Sequence, residues 1–221
     1  MDAKQLLKVD KSLDLKMFAP LGCGALTGAG AVLNFFKCGP GDMVAVIGAG
    51  GVGLSAMMAA KAANCKKIIM IDVVKSRLDL ALSLGATDVI NPKEVQDITG
   101  EIMEISGGAG LNYLIDTSGR TEVFNAASAA LAVRGEAGLI TPDMTPTEIG
   151  NLFFYLYRKT LHCIVLGMTT AEDIIPKMLE LNKRGLFPYE RLIRQYRFED
   201  IQQALADMKS GATVKPVLVM P

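Results

Sequence analysis

A short apolar run followed directly by three closely spaced glycines constrains the fold of this 221-residue chain more than any other feature. The run Met43–Ile47 has the length of a buried strand, and Gly48, Gly50 and Gly53 follow it in the pattern Gly-x-Gly-x-x-Gly. The first glycine suits a tight turn, the second allows close backbone approach to a pyrophosphate, and the third allows close packing of helix on strand. A strand, this turn and a helix together predict a dinucleotide-binding unit.

The residues that follow the turn point to the kind of dinucleotide. Amide groups around Gly51 and Val52 would face phosphate at the positive end of a helix dipole. Asp72 ends the next apolar run, 19 residues beyond the last glycine, and its carboxylate can accept hydrogen bonds from the adenosine ribose hydroxyls. A carboxylate repels a 2′-phosphate, so NAD is predicted over NADP, although Lys75 and Arg77 leave phosphate binding open. A purely structural turn beside a solvated Asp72 is the alternative.

Composition excludes several classes of partner. The 23 basic and 23 acidic side chains balance, and the basic residues are scattered, so neither nucleic acid nor an anionic membrane surface is an expected partner. No apolar run is long enough to span a bilayer, and the charged N-terminus lacks the apolar core of a secretory signal. A cytoplasmic protein is expected.

Cysteine and histidine usage predicts no self-contained metal site. Cys23, Cys38, Cys65 and Cys163 form no Cys-x-x-Cys pair and are expected to be reduced thiols. The one histidine, His162, lies in an apolar strand-like run, where a packed or edge-exposed side chain is more common than a catalyst.

Strand-like runs alternate with amphipathic helical stretches from residue 43 onward, which is typical of parallel β-α units. The predicted fold is a Rossmann-type α/β domain with a doubly wound, six-stranded parallel sheet. Strands are predicted near 43–48, 68–72, 87–91, 111–116, 136–141 and 161–166, and helices near 51–63, 75–84, 93–106 and 120–132. Gly85, the pair Gly107 and Gly108, and Gly135 are predicted to end helices.

The flanking segments carry further predictions. A closely packed helix is expected within 21–36, and a loop with a short apolar helix within 142–160. Helices are expected at Ile174–Lys183, with Pro176 in the first turn, and at Phe198–Lys209. Lys215–Val219 reads as an edge strand because it contains a proline.

Several short motifs closely resemble the zinc-dependent medium-chain alcohol dehydrogenases, in particular the aryl-alcohol (benzyl-alcohol-type) branch. They are Leu21-Gly22-Cys23-Gly24 with Thr27-Gly28, the turn Gly48–Gly53, Leu84–Asp88, Asn91-Pro92, Ser210-Gly211 and Lys215-Pro216. The resemblance covers essentially the whole chain. It implies that a primary alcohol, and in the benzyl-alcohol-type branch an aryl alcohol, is oxidised to an aldehyde by hydride transfer to NAD, with a catalytic zinc acting as Lewis acid.

The resemblance also implies roles for individual residues. Cys23 matches one of the zinc ligands, and the less favoured alternative is a small buried thiol at a crowded helix start. Thr27 matches a residue near the nicotinamide, and Thr117 and Ser118 match the turn beside the nicotinamide ribose. Asp72 and Arg77 match the residues that contact the adenosine ribose. Lys215 matches a basic residue near the pyrophosphate.

The departures from the family concern the catalytic half. The upstream domain that carries the other zinc ligands has no counterpart in this chain, and one thiolate cannot hold a catalytic zinc. Zinc is therefore expected only together with that missing domain, and the chain alone is expected to bind NAD without oxidising alcohol. A second departure is Leu139-Ile140-Thr141-Pro142, where relatives usually place a glycine beside the nicotinamide.

The resemblance also predicts the domain organisation and a partner. Residues 25–167 would form the NAD-binding domain, while 1–24 and 168–221 would belong to, or pack on, the missing catalytic domain. Their apolar faces would then be partly uncovered. A homodimer is expected through the strand region 161–166.

Two alternatives stay open. One is a zinc-free reductase of quinones or enones, for which Cys23 would be incidental. The other is a non-catalytic NAD-binding module that pairs with a partner chain through an exposed edge.

Overall fold

The computed structural model describes residues 7–11, 13–141, 154 and 157–221. Its main sheet contains six parallel strands in the spatial order β3-β2-β1-β4-β5-β6. They are β1 Met43–Ile47, β2 Lys67–Ile71, β3 Asp88–Ile90, β4 Leu111–Asp116, β5 Leu131–Leu139 and β6 Thr160–Cys163. This order is that of a doubly wound dinucleotide-binding fold, which confirms the predicted Rossmann-type architecture.

Helices cover both faces of this sheet. They are α1 Leu15–Phe18, α2 Gly24–Gly30, α3 Gly51–Ala62, α4 Lys75–Leu84, α5 Ile98–Ile105, α6 Thr121–Ala129, α7 Ala171–Lys183 and α8 Ile201–Ser210, and a π turn at Ala31–Phe35 extends α2. Val44 and Val46 of β1 pack into the core shared with α2, α3, α4 and α7, whereas Ala45 and Ile47 face the core shared with α5 and α6. Every residue of β1 is buried because successive side chains point to opposite, helix-covered faces.

Strand β5 differs from the prediction. Helix α6 ends at Ala129 and β5 begins at Leu131, so Gly135 lies inside a strand and does not end the helix. The pairing register of β4 with β5 shifts between Leu111 and Tyr113, and Arg134 has a left-handed φ of 64°. A Cβ on Gly135 would lie 2.8 Å from the carbonyl oxygen of Leu111. Glycine is therefore needed where this bulge brings two backbones close together.

Two other boundaries also differ. Strand β6 ends at Cys163, and Leu166, Gly167 and Met168 then adopt left-handed φ values of 49°, 62° and 49° that exclude a strand up to residue 166. Helix α7 begins at Ala171, earlier than expected, with Thr170 capping it, so Pro176 lies in its second turn and not in its first.

A small second sheet follows α7. Strands β7 Ile193–Arg197 and β8 Lys215–Val219 pair in parallel, and α8 connects them. Both are edge strands within this pair, as the proline in β8 predicted. The Tyr196 hydroxyl links the strands to the helix, since it lies 2.7 Å from both the Asp207 carboxylate and the Thr213 hydroxyl.

The predicted short apolar helix within 142–160 falls largely outside the described residues. Across the part of the chain that is described, no single helix is long and apolar enough to cross a membrane. Only the pair Leu15–Gly22 and Gly24–Phe35, bent by 54°, passes that test of length and composition.

Candidate functional site: a dinucleotide cleft at the carboxyl edge of the sheet

The glycine-rich turn joins β1 to α3 at the carboxyl edge of the sheet. Gly48 has a φ of 95°, and a Cβ there would lie 2.6 Å from the Thr117 hydroxyl oxygen. A Cβ on Gly53 would overlap the carbonyl oxygen of Gly48. Gly48 is therefore required by its positive φ and its contact with Thr117, and Gly53 by the packing of α3 against the turn.

Gly50 and Gly51 have a different environment. Apart from the adjacent chain and the backbone of α3 itself, no atom of the described residues lies within 4 Å of the Cβ position of either glycine. Gly50 precedes α3 as its N-cap, with an extended backbone (φ −84°, ψ −171°) and no side-chain cap. The first amides of α3, including those of Gly51 and Val52, have no acceptor within the helix. The turn thus presents open space and free donors on the same side, which suits an anion.

Asp72 is fixed in place by backbone amides. Its Oδ2 accepts a hydrogen bond from the Ala49 amide at 2.6 Å, and its Oδ1 accepts one from the Val74 amide at 2.8 Å. The first of these bonds joins the carboxylate directly to the glycine-rich turn. Because each carboxylate oxygen can accept a second hydrogen bond, Asp72 keeps capacity for two hydroxyl donors. The sequence spacing predicted this carboxylate but not its link to Ala49.

A second buried carboxylate organises the neighbouring strand end. Asp116 ends β4, is 2% exposed, and accepts bonds at 2.8 Å from both the amide and the hydroxyl of Ser118. Burial raises the pKa of Asp116, while the Ser118 hydrogen bonds act in the opposite direction. Sequence reasoning missed Asp116, although a carboxylate at the end of an apolar strand was a visible signal. The strand order changes direction between β1 and β4, and ligands bind at such a switch point.

Two cavities adjoin these groups. One, of about 300 Å³, is lined by Gly50, Gly51, Val52, Arg77 and Lys215, together with the start of α2 and the second sheet. The other, of about 410 Å³, is lined by Gly48, Asp72, Arg77, Ser118, Lys93 and Arg120, among others. Arg77 lines both cavities, so they adjoin each other at the sheet edge, and the two together are called the cleft. Lys93 and Arg120 are lining residues that the sequence reasoning did not single out.

Arg77 has unused hydrogen-bonding capacity in this cleft. Its Nη2 donates to the carbonyl oxygen of Met208 at 2.9 Å, whereas its buried Nε has no partner among the described residues. A buried guanidinium N–H without an acceptor is costly unless a ligand supplies one. Lys75, by contrast, pairs with Asp79 at 2.9 Å on its own helix.

The remaining predicted cofactor residues are placed less directly. Thr27 is buried in α2, and Thr117 donates its hydroxyl to the carbonyl oxygen of Ile47 at 2.8 Å. Neither residue lines the two cavities described above. Their roles beside the nicotinamide stay predictions from the family resemblance.

No complete metal site is present in the described residues. Cys23 is exposed just before α2, and across residues 7–11, 13–141, 154 and 157–221 no group of three His, Cys, Asp or Glu side chains converges. A catalytic zinc requires three protein ligands, so these residues alone do not fit the ion. His162 is packed, as expected, with Nε2 at 2.7 Å from Glu136 and its ring edge against Phe35.

Comparison with known proteins agrees with this geometry. The family description "Zinc-binding dehydrogenase" matches residues 51–184. The geraniol dehydrogenase of Castellaniella defragrans is 38% identical over 216 residues, which is 96% of this chain and 57% of the relative. The chain belongs to the zinc-binding dehydrogenase family.

Solved structures show the same relationship. An alcohol dehydrogenase zinc-binding domain protein from Burkholderia ambifaria is 43% identical with a TM-score of 0.92, over 97% of this chain and 58% of that one. Benzyl alcohol dehydrogenase from Acinetobacter calcoaceticus is 36% identical with a TM-score of 0.92, over 97% and 59% respectively. These comparisons confirm the resemblance to benzyl-alcohol-type dehydrogenases. The chain spans a little under three fifths of the length of the relatives that it matches.

Proposed function

We propose that this chain is the NAD(H)-binding portion of a zinc-dependent alcohol dehydrogenase that oxidises primary alcohols to aldehydes. The observation that carries the proposal is the cleft at the β1–β4 switch point, where the start of α3 lines one cavity, Asp72 lines the adjoining one and Arg77 lines both. When bound, NAD supplies the hydride acceptor.

Different groups of the chain would bind different parts of the cofactor. The amides at the start of α3, with the side chains of Arg77 and Lys215, would neutralise and orient the pyrophosphate. Gly50 and Gly51 leave room for this approach, since nothing in the described chain fills their Cβ positions. Asp72 would accept hydrogen bonds from the adenosine ribose hydroxyls.

Asp72 also supports NAD over NADP. Its carboxylate cannot turn away from the ribose without breaking two short bonds to backbone amides. A 2′-phosphate in that position would face a fixed negative charge. Lys75 is paired with Asp79, which reduces its capacity to offset the repulsion.

The substrate class follows from the relatives and not from the chain's own pocket. Geraniol and benzyl alcohol, named in two relatives, are primary alcohols with a π system beside the reacting carbon. Aryl alcohols are therefore the first class to test. Alcohol activation needs zinc ligands beyond Cys23, so we expect no turnover from this chain alone.

Exposed apolar side chains support a larger assembly. Phe198, Ile201, Leu205 and Met208 are each 37–47% exposed on or beside α8. We expect the domain that completes the relatives to cover this surface, in line with the proposed division into 25–167 and the flanking segments 1–24 and 168–221. The outer edge of β6, followed by the exposed Val165 and Leu166, suits the proposed homodimer contact.

The test is an equilibrium titration with NADH and NADPH, followed by cofactor fluorescence. Wild-type protein should bind NADH more tightly than NADPH. Asp72→Asn should weaken NADH binding and narrow the difference between the cofactors. The matched control is Asp200→Asn, which changes the charge equally at an exposed position before α8 that lines neither cavity. Absence of any dinucleotide binding would overturn the proposal, and oxidation of benzyl alcohol by the chain alone would overturn its catalytic part.

A further inference from the structure

Two cysteines lie close together at the amino edge of the sheet, opposite the dinucleotide cleft. Cys38 precedes β1, and Cys65 follows α3 and precedes β2. Asp42 joins the two loops, because its carbonyl oxygen accepts the Lys66 amide at 2.8 Å while its carboxylate accepts the Gly39 amide at 2.8 Å. These bonds hold the two loops side by side.

The two thiols interact at the margin of the main core and differ in exposure. Cys38 is buried in the main core, whereas Cys65 is half-buried at its margin. The hydrogen bond from Cys38 lowers the pKa of Cys65, and the same bond together with burial raises the pKa of Cys38. Cys65 is therefore the thiol with more thiolate character and better access to solvent.

The surroundings favour this asymmetry. Tyr113 lies on β4 next to β1, and its pKa is raised to about 12 by burial and by the nearby Asp42, Cys38, Glu136 and Cys65. A charge on Cys38 would sit in this poorly solvated region beside Asp42, so Cys38 stays a protonated thiol. Because Cys38 adjoins the more accessible Cys65, it is placed to act as its resolving cysteine.

We propose that Cys65 and Cys38 form a peroxide-sensitive dithiol, which closes reversibly to an intramolecular disulfide. The Cys65 thiolate attacks hydrogen peroxide, forming a sulfenic acid and releasing hydroxide, which takes up a proton to become water. The Cys38 sulfur then attacks the sulfenic sulfur while its thiol proton passes to the leaving hydroxide, which forms the S–S bond and releases a second water. The two thiols are oxidised by two electrons and the peroxide is reduced; an added dithiol reductant reverses the reaction.

The bond would enclose the cofactor-binding unit. The segment between the two cysteines contains β1, the glycine-rich turn and α3. A cross-link over this loop of 27 residues restricts the unfolded chain, so the oxidised protein should melt at a temperature about 5–10 °C higher. Oxidation in this case stabilises the protein, which distinguishes it from damage.

The experiment treats the folded protein with hydrogen peroxide and blocks the remaining thiols by alkylation. Peptides are then mapped without reduction. A Cys23→Ser and Cys163→Ser double variant keeps the proposed pair and removes the two exposed thiols. We expect a Cys38–Cys65 disulfide in this variant and in the wild type, its loss on reduction, and the higher melting temperature before reduction.

The matched variants are Cys65→Ser and Cys38→Ser. Cys65→Ser should leave Cys38 slow to oxidise, whereas Cys38→Ser should let Cys65 progress to sulfinic acid. The inference is overturned if Cys65 reaches sulfinic acid in the wild type while Cys38 stays free, or if Cys65 instead pairs with Cys23 or Cys163. It is also overturned if neither thiol is oxidised in protein whose circular dichroism shows it to be folded.

Discussion

Two alanine substitutions three residues apart should separate cofactor binding from folding. Gly50 has backbone angles that alanine adopts readily, and apart from the adjacent chain no described atom lies within 4 Å of its Cβ position. We therefore expect Gly50→Ala to change the free energy of unfolding by less than about 1 kcal/mol. The added methyl group would occupy the space into which a pyrophosphate must move to reach the amides of α3.

The expected loss of affinity follows from the bonds involved. A hydrogen bond between a backbone amide and a charged oxygen is worth about 1.5–3 kcal/mol, so losing one such bond weakens NADH binding by roughly 10- to 150-fold. Gly53→Ala is the matched comparison. Its methyl group would overlap the carbonyl oxygen of Gly48, so α3 must shift away from β1. Overpacking of this kind costs about 1–3 kcal/mol, which lowers the melting temperature of a chain this long by several degrees.

The assay combines thermal melting with NADH fluorescence titration of both variants. The reasoning requires Gly50→Ala to melt like the wild type yet bind NADH poorly, and Gly53→Ala to melt earlier. If Gly50→Ala bound NADH with unchanged affinity, the cofactor would not approach the turn as proposed. If Gly53→Ala were as stable as the wild type, the close contact between α3 and β1 would be refuted.

Four further predictions concern the cleft, the second sheet and the β6 edge. Arg77→Met should weaken NADH binding about 5- to 30-fold by fluorescence titration, whereas Lys75→Met should not; equal effects would contradict the role of Arg77. Tyr196→Phe should lower the melting temperature by about 2–5 °C, because it removes a hydroxyl that holds the Asp207 carboxylate. The hydrogen bond from Tyr196 lowers the pKa of Asp207, so the stabilisation from this bond is present above the unfolded pKa of Asp207 and is lost as pH falls through its folded pKa. The melting temperatures of wild type and Tyr196→Phe should therefore converge in acid. A difference in melting temperature that stays constant with pH would contradict this prediction. Val165→Asp should convert a dimer to monomer in analytical ultracentrifugation, and an unchanged mass would argue against the β6 contact.

Much of the fold could be predicted because periodic burial is visible in sequence. The run Met43–Ile47 and its successors are continuous apolar segments, since a parallel strand is covered on both faces. Helix α4 was predicted at its observed boundaries because Gly85 adopts the left-handed conformation that ends it. Gly135 failed as a helix terminator because its role depends on a neighbouring strand, and no local pattern reports that contact.

The candidate site likewise contains features that local sequence predicts and features that depend on tertiary contacts. The glycine spacing and Asp72 are local signals with a physical meaning, so they could be recognised directly. The Ala49–Asp72 bond and the bond from Arg77 to Met208 join segments far apart in the chain, and the burial that leaves the Arg77 Nε without a partner also depends on the tertiary structure. The contact between Cys38 and Cys65 also joins distant segments, and no Cys-x-x-Cys spacing predicts it. Such groups become visible only when the topology brings them together.

Hydrogen exchange with and without NADH tests the central claim most directly. If the cleft holds the dinucleotide, NADH should slow exchange of the amides at Gly50–Val52 and around residues 72–77, while the amino edge near Cys38 stays unchanged. Protection confined to other segments, or no change at saturating NADH, would contradict a cofactor site at this edge of the sheet.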